Sequence, residues 1–215
     1  MNICFVGVDG SGKTTHAKRL HNWLRSRGVD SVYVHFDFSL RKYIPSRIRK
    51  TLYSSSHKER SELVEKESAE RKKYTTKMYA MLFLIFSLLD GFIYYLKGPR
   101  SRVRIYDRYF YDYLVEFFEL YPDCVKMLYI SLLPRPDIVF YLDVPPSIAY
   151  ARSREYPLSY YSLRRRRYLK LLRCMRSTKV IIFNTSRSKT SNSLTILSHV
   201  SRCFNKAGHK NETRK

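Results

Sequence analysis

A short segment near the N-terminus carries the residue types needed to hold a phosphate group. Residues 7–15 match the pattern G-x-x-x-x-G-K-[ST] and directly follow the apolar run Ile-Cys-Phe-Val at 3–6. Glycines let backbone N–H groups close around a phosphate, and the N-terminus of a following helix adds the positive end of its dipole. In such a loop Lys13 reaches the β- and γ-phosphates, and the Thr14 hydroxyl binds Mg²⁺. The residues expected to bind nucleotide phosphates are Gly7, Val8, Asp9, Gly10, Ser11, Gly12, Lys13, Thr14 and Thr15.

A second charged group follows a later apolar run. Asp107-Arg108-Tyr109 comes directly after residues 103–106. An aspartate there can hold Mg²⁺ or accept a proton from an attacking oxygen, and the adjacent arginine can clamp a phosphate with its forked guanidinium. We therefore expect Asp107 and Arg108 to act with the phosphate loop, Asp107 being a metal ligand beside Thr14. The alternative for this pair is a surface ion pair at the end of a strand.

Five short runs rich in Val, Ile, Phe and Tyr predict the strands that position these groups. Helical stretches separate them, and Gly28 stands where a helix beginning at Thr14 would end. Continuous apolar strands alternating with helices imply a parallel sheet covered on both faces, with ligands at its carboxyl edge. We predict an α/β fold with a five-stranded parallel sheet. The predicted strands are residues 3–6, 32–36, 103–106, 138–142 and 180–183.

Arginines follow the predicted fourth strand, where a lid could bring them to a reacting phosphate. Asp143 ends that strand, and Arg152, Arg154 and four consecutive arginines at 164–167 come after it. Phosphoryl transfer spreads charge over the oxygens of the moving group, so arginines near it lower the barrier. We expect Arg152 and Arg154 to be the first candidates. Because four consecutive residues cannot all face one ligand, most of 164–167 should form a solvated or nucleic-acid-facing surface.

The net charge of the chain is extreme. Its 215 residues include 41 Lys and Arg against 18 Asp and Glu, which gives a formal charge of +23. Such a field attracts polyanions, so nucleotides, nucleic acid and an anionic membrane surface are all compatible partners. Four scattered cysteines lack metal-ligand spacing, and the first apolar run is too short for a signal peptide. We expect an intracellular, cytoplasmic protein, and a homodimer stays open.

Residues 78–96 are nearly all apolar and just long enough to span a bilayer. Asp90 and Gly91 interrupt the segment, and a helix buried on all sides of an α/β core has the same composition. Because a nucleotide-binding domain surrounds the segment, we expect a buried helix and no membrane span. The charge-rich stretch at 57–77 predicts a solvated helix before it.

Taken together, these motifs resemble the thymidylate kinase family of nucleoside monophosphate kinases. The matching pieces are the loop at 7–15, Asp107-Arg108-Tyr109, and residues 136–146 followed by Ala149, Arg152 and Arg154. The resemblance implies a three-layer P-loop kinase fold with an Arg-rich lid at about 150–168. It also implies ATP- and Mg²⁺-dependent phosphorylation of dTMP to dTDP. We expect one nucleotide kinase domain over 1–204 and a basic, frayed tail over 205–215.

The resemblance assigns roles to individual residues. Asp9 would contact the sugar of the acceptor nucleotide, Arg108 would contact its phosphate, and Asp107 would support Mg²⁺ and the reacting groups. Family members with glycine at the position of Gly10 tend to supply the catalytic arginine from the lid. Residues 184–186 lie where the adenine-side loop of the family would be. The expected catalytic residues are Lys13, Asp107, Arg108, Arg152 and Arg154.

Three departures from the family pattern concern the acceptor half of the site. Residues 37–39 read Asp-Phe-Ser where the family usually has an acidic residue and a proline. Leu89-Asp90-Gly91 stands in place of Ala-Asp-Arg on the central helix, and residues 156–161 replace a Gly-containing stretch of the lid. A basic residue of 41–49 or 71–73 is a candidate to replace the missing arginine. Two alternatives therefore stay open: a kinase for a deoxynucleoside, another monophosphate or a polynucleotide 5′ end, and a nucleic-acid-binding protein that kept this scaffold and lost turnover.

Overall fold

The computed structural model describes residues 1–35, 70–175, 178–186 and 189–212. The strands are β1 (Asn2–Val6), β2 (Ser31–His35), β3 (Val103–Asp107), β4 (Ile138–Asp143) and β5 (Lys179–Asn184). The helices are α1 (Lys13–Arg25), α2 (Glu70–Lys97), α3 (Tyr111–Glu116), α4 (Asp123–Leu132), α5 (Pro146–Ser153), α6 (Leu158–Cys174) and α7 (Lys189–Glu212), with a 3₁₀ turn at Phe118–Leu120.

The five strands form one parallel sheet in the order β2-β3-β1-β4-β5. Each predicted strand lies within one residue of the observed one at either end. The predicted last residue of the second strand, Phe36, lies outside the described residues, as do 37–39, 41–49 and 57–69. Because all strands run the same way, the phosphate loop after β1, Asp107 and Asp143 meet at one edge of the sheet.

Alternation along the strands builds a core on each face of the sheet. Ile3 and Phe5 of β1 pack with α1 and α7, whereas Cys4 and Val6 pack with α2, α3, α4 and α6. Successive side chains of a strand point to opposite faces, so a strand covered on both sides must be apolar throughout. The predicted three-layer α/β fold is confirmed.

Helix α1 carries the phosphate loop on its N-terminus. Its apolar residues Ala17, Leu20 and Leu24 are buried at the spacing that predicted the helix. Gly28, with φ of +69°, lies just beyond its C-terminus and donates its N–H to the Arg25 carbonyl. Glycine adopts this left-handed conformation without steric cost, which is why it ends helices.

Helix α2 departs from the sequence expectation. Its inner side, including Ala80, Leu84 and Asp90, is buried, but its opposite side is exposed, with Phe92 63% accessible. The prediction of a helix buried on all sides is therefore wrong, because one side faces away from the sheet. No helix within the described parts of the chain is long and apolar enough to cross a membrane. The outer face of α2 consists of Leu82, Ile85, Leu89, Phe92 and Leu96.

Candidate active site

The phosphate loop folds into a tight turn between β1 and α1. The Ser11 N–H bonds to the Val8 carbonyl at 3.1 Å, and Gly12, with φ of +93°, is the N-cap of α1. Gly10 has φ of +80°, and a Cβ added there would lie 2.6 Å from the carbonyl oxygen of Ala149. Both the backbone conformation and the space therefore require glycine at position 10.

The side chain of Lys13 lies over this loop. Its ammonium donates to the carbonyls of Gly7 and Val8, both at 2.8 Å, and lies 3.5 Å from Asp9 Oδ1. Burial lowers the pKa of Lys13, and the carboxylate of Asp9 opposes that shift. The ammonium is thus held at the loop that surrounds the predicted phosphate position.

Asp107 is buried at the end of β3, with one carboxylate oxygen crowded by donors. Its Oδ2 accepts hydrogen bonds from Thr14 Oγ1 and Tyr33 OH, both at 2.7 Å, and lies 3.0 Å from His35 Nδ1. Burial alone would raise the pKa of Asp107, but these hydrogen bonds outweigh it and lower the pKa. The group is therefore an ionised carboxylate beside the phosphate loop.

The second oxygen of Asp107 fits a metal ligand. Oδ1 is buried and has no hydrogen-bond partner within the described residues, and the Thr14 hydroxyl lies on the other oxygen. Mg²⁺ prefers oxygen ligands and usually binds through one or two carboxylates together with waters and substrate phosphates. No cluster of three His, Cys, Asp or Glu side chains that could hold a metal occurs among the described residues. The donor set fits a metal that arrives with the nucleotide.

Arg108 joins β3 to the phosphate loop. It has φ of +74°, and its Nη2 donates to Asp9 Oδ1 at 2.8 Å while Nη1 lies 4.0 Å from Asp112 Oδ2. Burial would raise the pKa of Asp9, but the positive charges around it, foremost that of Lys13, lower the pKa well below its usual range. The structure thus brings Lys13, Asp9 and Arg108 together beside the phosphate loop.

A cavity of about 430 Å³ opens beside the loop. Arg152 lines it, and its guanidinium lies 3.4 Å from the Gly10 carbonyl and 3.2 Å from that of Thr185. Thr185 belongs to the predicted adenine-side loop, which therefore does border the cavity. Arg154, with φ of +54°, caps the C-terminus of α5, is exposed and does not line the cavity. The structure places only the first of the two predicted lid arginines at the site.

The expectation that most of 164–167 faces solvent is wrong. Arg164 is buried, with Nη1 at 2.7 Å from both Glu116 Oε2 and Tyr160 OH. Its Nη2 lies 3.8 Å from Asp112 Oδ2. Successive helical residues point in different directions, and this one points towards α3, whose Asp112 and Glu116 share one face. The spacing of these two acids was a signal available in the sequence.

Two more arginines of the run are paired with acids at the sheet edge and the 3₁₀ turn. Arg165 makes a two-pronged bond to Asp143, at 2.6 and 2.8 Å, and Arg167 bonds to Glu119. Arg166 alone among the four is exposed. The run therefore ties α6 to three parts of the domain.

A model of the family described as thymidylate kinase matches residues 5–196. That stretch contains the phosphate loop, Asp107-Arg108-Tyr109 and the arginines of α5 and α6. The chain belongs to the thymidylate kinase family. It is a nucleoside monophosphate kinase, and membership implies ATP as the phosphate donor.

Relatives at modest identity support this membership. A probable thymidylate kinase of Sulfurisphaera tokodaii is 28% identical over 159 residues, covering 71% of this chain and 68% of that protein. The thymidylate kinase of Fervidobacterium nodosum is 27% identical over 159 residues and covers 72% of each. Identities this low mark our chain as a divergent thymidylate kinase family member.

Among solved structures, the fold is similar to that of deoxyadenosine kinase from M. mycoides. One such structure, with the products dCMP and dCDP bound, has a TM-score of 0.56 and 14% sequence identity, and covers 94% of this chain and 100% of that chain. Another has dCTP bound, at a TM-score of 0.56 and 16% identity. This likeness establishes a shared nucleoside kinase fold.

Gly91 of α2 stands where the resemblance to the thymidylate kinase family implies an arginine for the acceptor. A Cβ added there would lie 3.1 Å from Cε1 of Phe110 and 3.3 Å from Cδ2 of Leu133. An arginine at that position would have to displace both side chains. Gly91 thus packs closely against the apolar side chains that cap α3 and α4.

Proposed function

We propose that this kinase transfers the γ-phosphoryl group of ATP to dTMP, with Mg²⁺, to form ADP and dTDP. The observation that carries the proposal is the Thr14–Asp107 pair beside the Lys13 loop, since it supplies metal ligands and a phosphate cradle at one edge of the sheet. The choice of dTMP rests on the relatives, which are named thymidylate kinases.

The residues divide the work of transfer between donor and acceptor. Backbone N–H groups of the loop and the ammonium of Lys13 hold the β- and γ-phosphates of ATP. Arg108 turns from Asp9 towards the acceptor phosphate and orients its oxygen in line with the γ-phosphorus. That oxygen forms the new P–O bond as the bond to the β–γ bridging oxygen breaks and ADP leaves. Thr14 and Asp107 would hold Mg²⁺, which would supply neutralisation of the charge on the phosphates. Arg152 stabilises charge on the moving group.

A different acceptor is the second candidate, and Gly91 is the observation that favours it. Without an arginine from α2, one charge-assisted clamp on an acceptor phosphate is missing, which weakens binding by roughly one to two orders of magnitude. A deoxynucleoside has no phosphate to hold, so it loses nothing from this change. The two candidate functions differ only in the molecule that accepts the γ-phosphoryl group.

The test compares acceptors with purified full-length protein and Mg²⁺·ATP. We expect the highest kcat/KM for dTMP in a panel that also contains thymidine, dUMP, CMP and a 5′-hydroxyl oligonucleotide. Lys13→Met should abolish transfer to every acceptor while the far-ultraviolet circular dichroism stays unchanged. A tenfold preference for another acceptor would replace dTMP in the proposal, and full activity of the Lys13 variant would remove the loop from it.

The same proposal includes a homodimer through the outer face of α2 and a cytoplasmic location, where nucleotides are made. An exposed apolar strip of this kind marks an interaction surface. Light scattering after gel filtration should give twice the monomer mass, and Leu89→Glu should give the monomer. A monomeric wild-type protein would contradict the homodimer.

The charge of +23 is compatible with non-specific binding of nucleic acid. Such binding should weaken steeply as the salt concentration rises.

A further inference from the structure

The hydrogen bonds to Asp107 all reach one of its two carboxylate oxygens, and two of the three donors lie outside the phosphate loop. Thr14 belongs to the phosphate loop, but Tyr33 and His35 belong to β2, the strand beside β3. All three side chains contact Oδ2, and Oδ1 has no hydrogen-bond partner in the described part of the protein. The carboxylate is therefore held from one oxygen only.

The pairing of the strands explains how β2 reaches Asp107. His35 is in register with Asp107 and Tyr33 with Ile105, in a parallel pair. Because side chains alternate along a strand, residues 33 and 35 lie on the same face of the sheet. An ionised carboxylate can only accept, so Nδ1 of His35 must carry the proton in its contact with Oδ2. Two donors from a neighbouring strand thus converge on one oxygen.

We propose that Tyr33 and His35 are positioning residues that present Asp107 Oδ1 to Mg²⁺. This inference rests on the proposed function. By saturating Oδ2, the two side chains fix the rotation of the carboxylate and leave its other oxygen for the metal. A group that orients a metal ligand typically changes metal affinity by about 10–100-fold when it is removed. Neither residue belongs to the loop or to the Asp-Arg-Tyr motif.

The experiment separates binding of the metal from binding of the nucleotide. Affinity of the full chain for ADP is measured by calorimetry in EDTA and over a series of Mg²⁺ concentrations. In Tyr33→Phe, which removes only the hydroxyl, we expect about tenfold more Mg²⁺ to reach the tight-binding state. Affinity for ADP in EDTA should stay within about twofold of wild type. Tyr95→Phe, at an exposed position of α2, is the matched control and should match wild type in both.

A second pair of variants keeps the test independent of Tyr33. His35→Ala should raise the Mg²⁺ concentration needed for tight binding of ADP. In His35→Asn the amide nitrogen can take the place of Nδ1, so the Mg²⁺ dependence should return most of the way to that of wild type. Unchanged Mg²⁺ dependence in both Tyr33→Phe and His35→Ala overturns the positioning role. If Asp107→Asn also leaves the Mg²⁺ dependence unchanged, the metal site itself fails, and the proposed function fails with it.

Discussion

Replacement of Arg164 by alanine tests whether the arginine run of α6 is structural. Burial alone would lower the pKa of this guanidinium, but the tyrosines and carboxylates around it raise the pKa far above its usual value. It is therefore a buried cation held by Glu116, Asp112 and Tyr160. In Arg164→Ala these acids lose their cation in a largely buried site.

The expected loss of stability follows from the burial. Removing one partner of a buried ion pair costs about 3–5 kcal/mol, because the remaining charge stays desolvated. For a chain of this size each kcal/mol lowers the Tm by roughly 2–4 °C, so we expect a decrease of about 6–20 °C. Arg108 still lies 4.0 Å from Asp112, which favours the lower half of that range.

The assay is urea denaturation together with calorimetric melting, and Arg166→Ala is the matched control. Arg166 is the exposed neighbour with the same charge, and its loss should change the free energy of unfolding by less than about 0.5 kcal/mol. The double variant Arg164→Met/Glu116→Gln removes both charges and should recover part of the stability. Equal losses of stability in Arg164→Ala and Arg166→Ala would refute the structural role of Arg164 and support a solvated surface for the whole run.

Two further predictions concern the site. Arg152→Ala should lower kcat by orders of magnitude with a modest change in KM, because of these two arginines only Arg152 lines the cavity. The kcat of Arg154→Ala should stay within about threefold of wild type. A larger loss of kcat in Arg154→Ala than in Arg152→Ala, measured by steady-state kinetics, would contradict the placement of Arg152 at the site. The folded-state pKa of Asp9 is lowered, so its stabilisation is complete above the unfolded pKa near 4 and is lost as pH falls below it. Melting at pH 7 and pH 3 should show a smaller acid-induced loss in Asp9→Asn, and an equal loss would contradict the shifted pKa.

Much of the fold could be predicted because its signals are local. The central strands β1 and β4 are continuous apolar runs, as strands covered on both faces must be. The phosphate loop could be assigned from spacing alone, since Gly10 and Gly12 adopt backbone conformations that favour glycine. The position of Asp107 and Arg108 directly after an apolar run pointed to this pair, which the sheet brings to the loop.

Other features depend on which distant segments meet. The apolar sequence of α2 is compatible with a buried helix, and only the packing of one side on the sheet shows that Phe92 lies outside. Periodicity could not separate these cases, because the residues are apolar on both sides. Sequence spacing also could not separate Arg152 from Arg154. In the structure Arg152 lies in the last turn of α5, whereas Arg154 follows the helix with a left-handed backbone conformation.

The sequence by itself determined which charged groups follow the strands at the sheet edge: a phosphate loop, an Asp-Arg pair and the arginines after β4. Tertiary structure alone decided the partners of those groups. Arg164 is a buried structural cation because α6 lies against Glu116, 48 residues earlier. Asp107 is held by Tyr33, 74 residues away, because β2 pairs with β3. Such contacts follow from strand register and helix packing across the whole chain, and no local spacing encodes them.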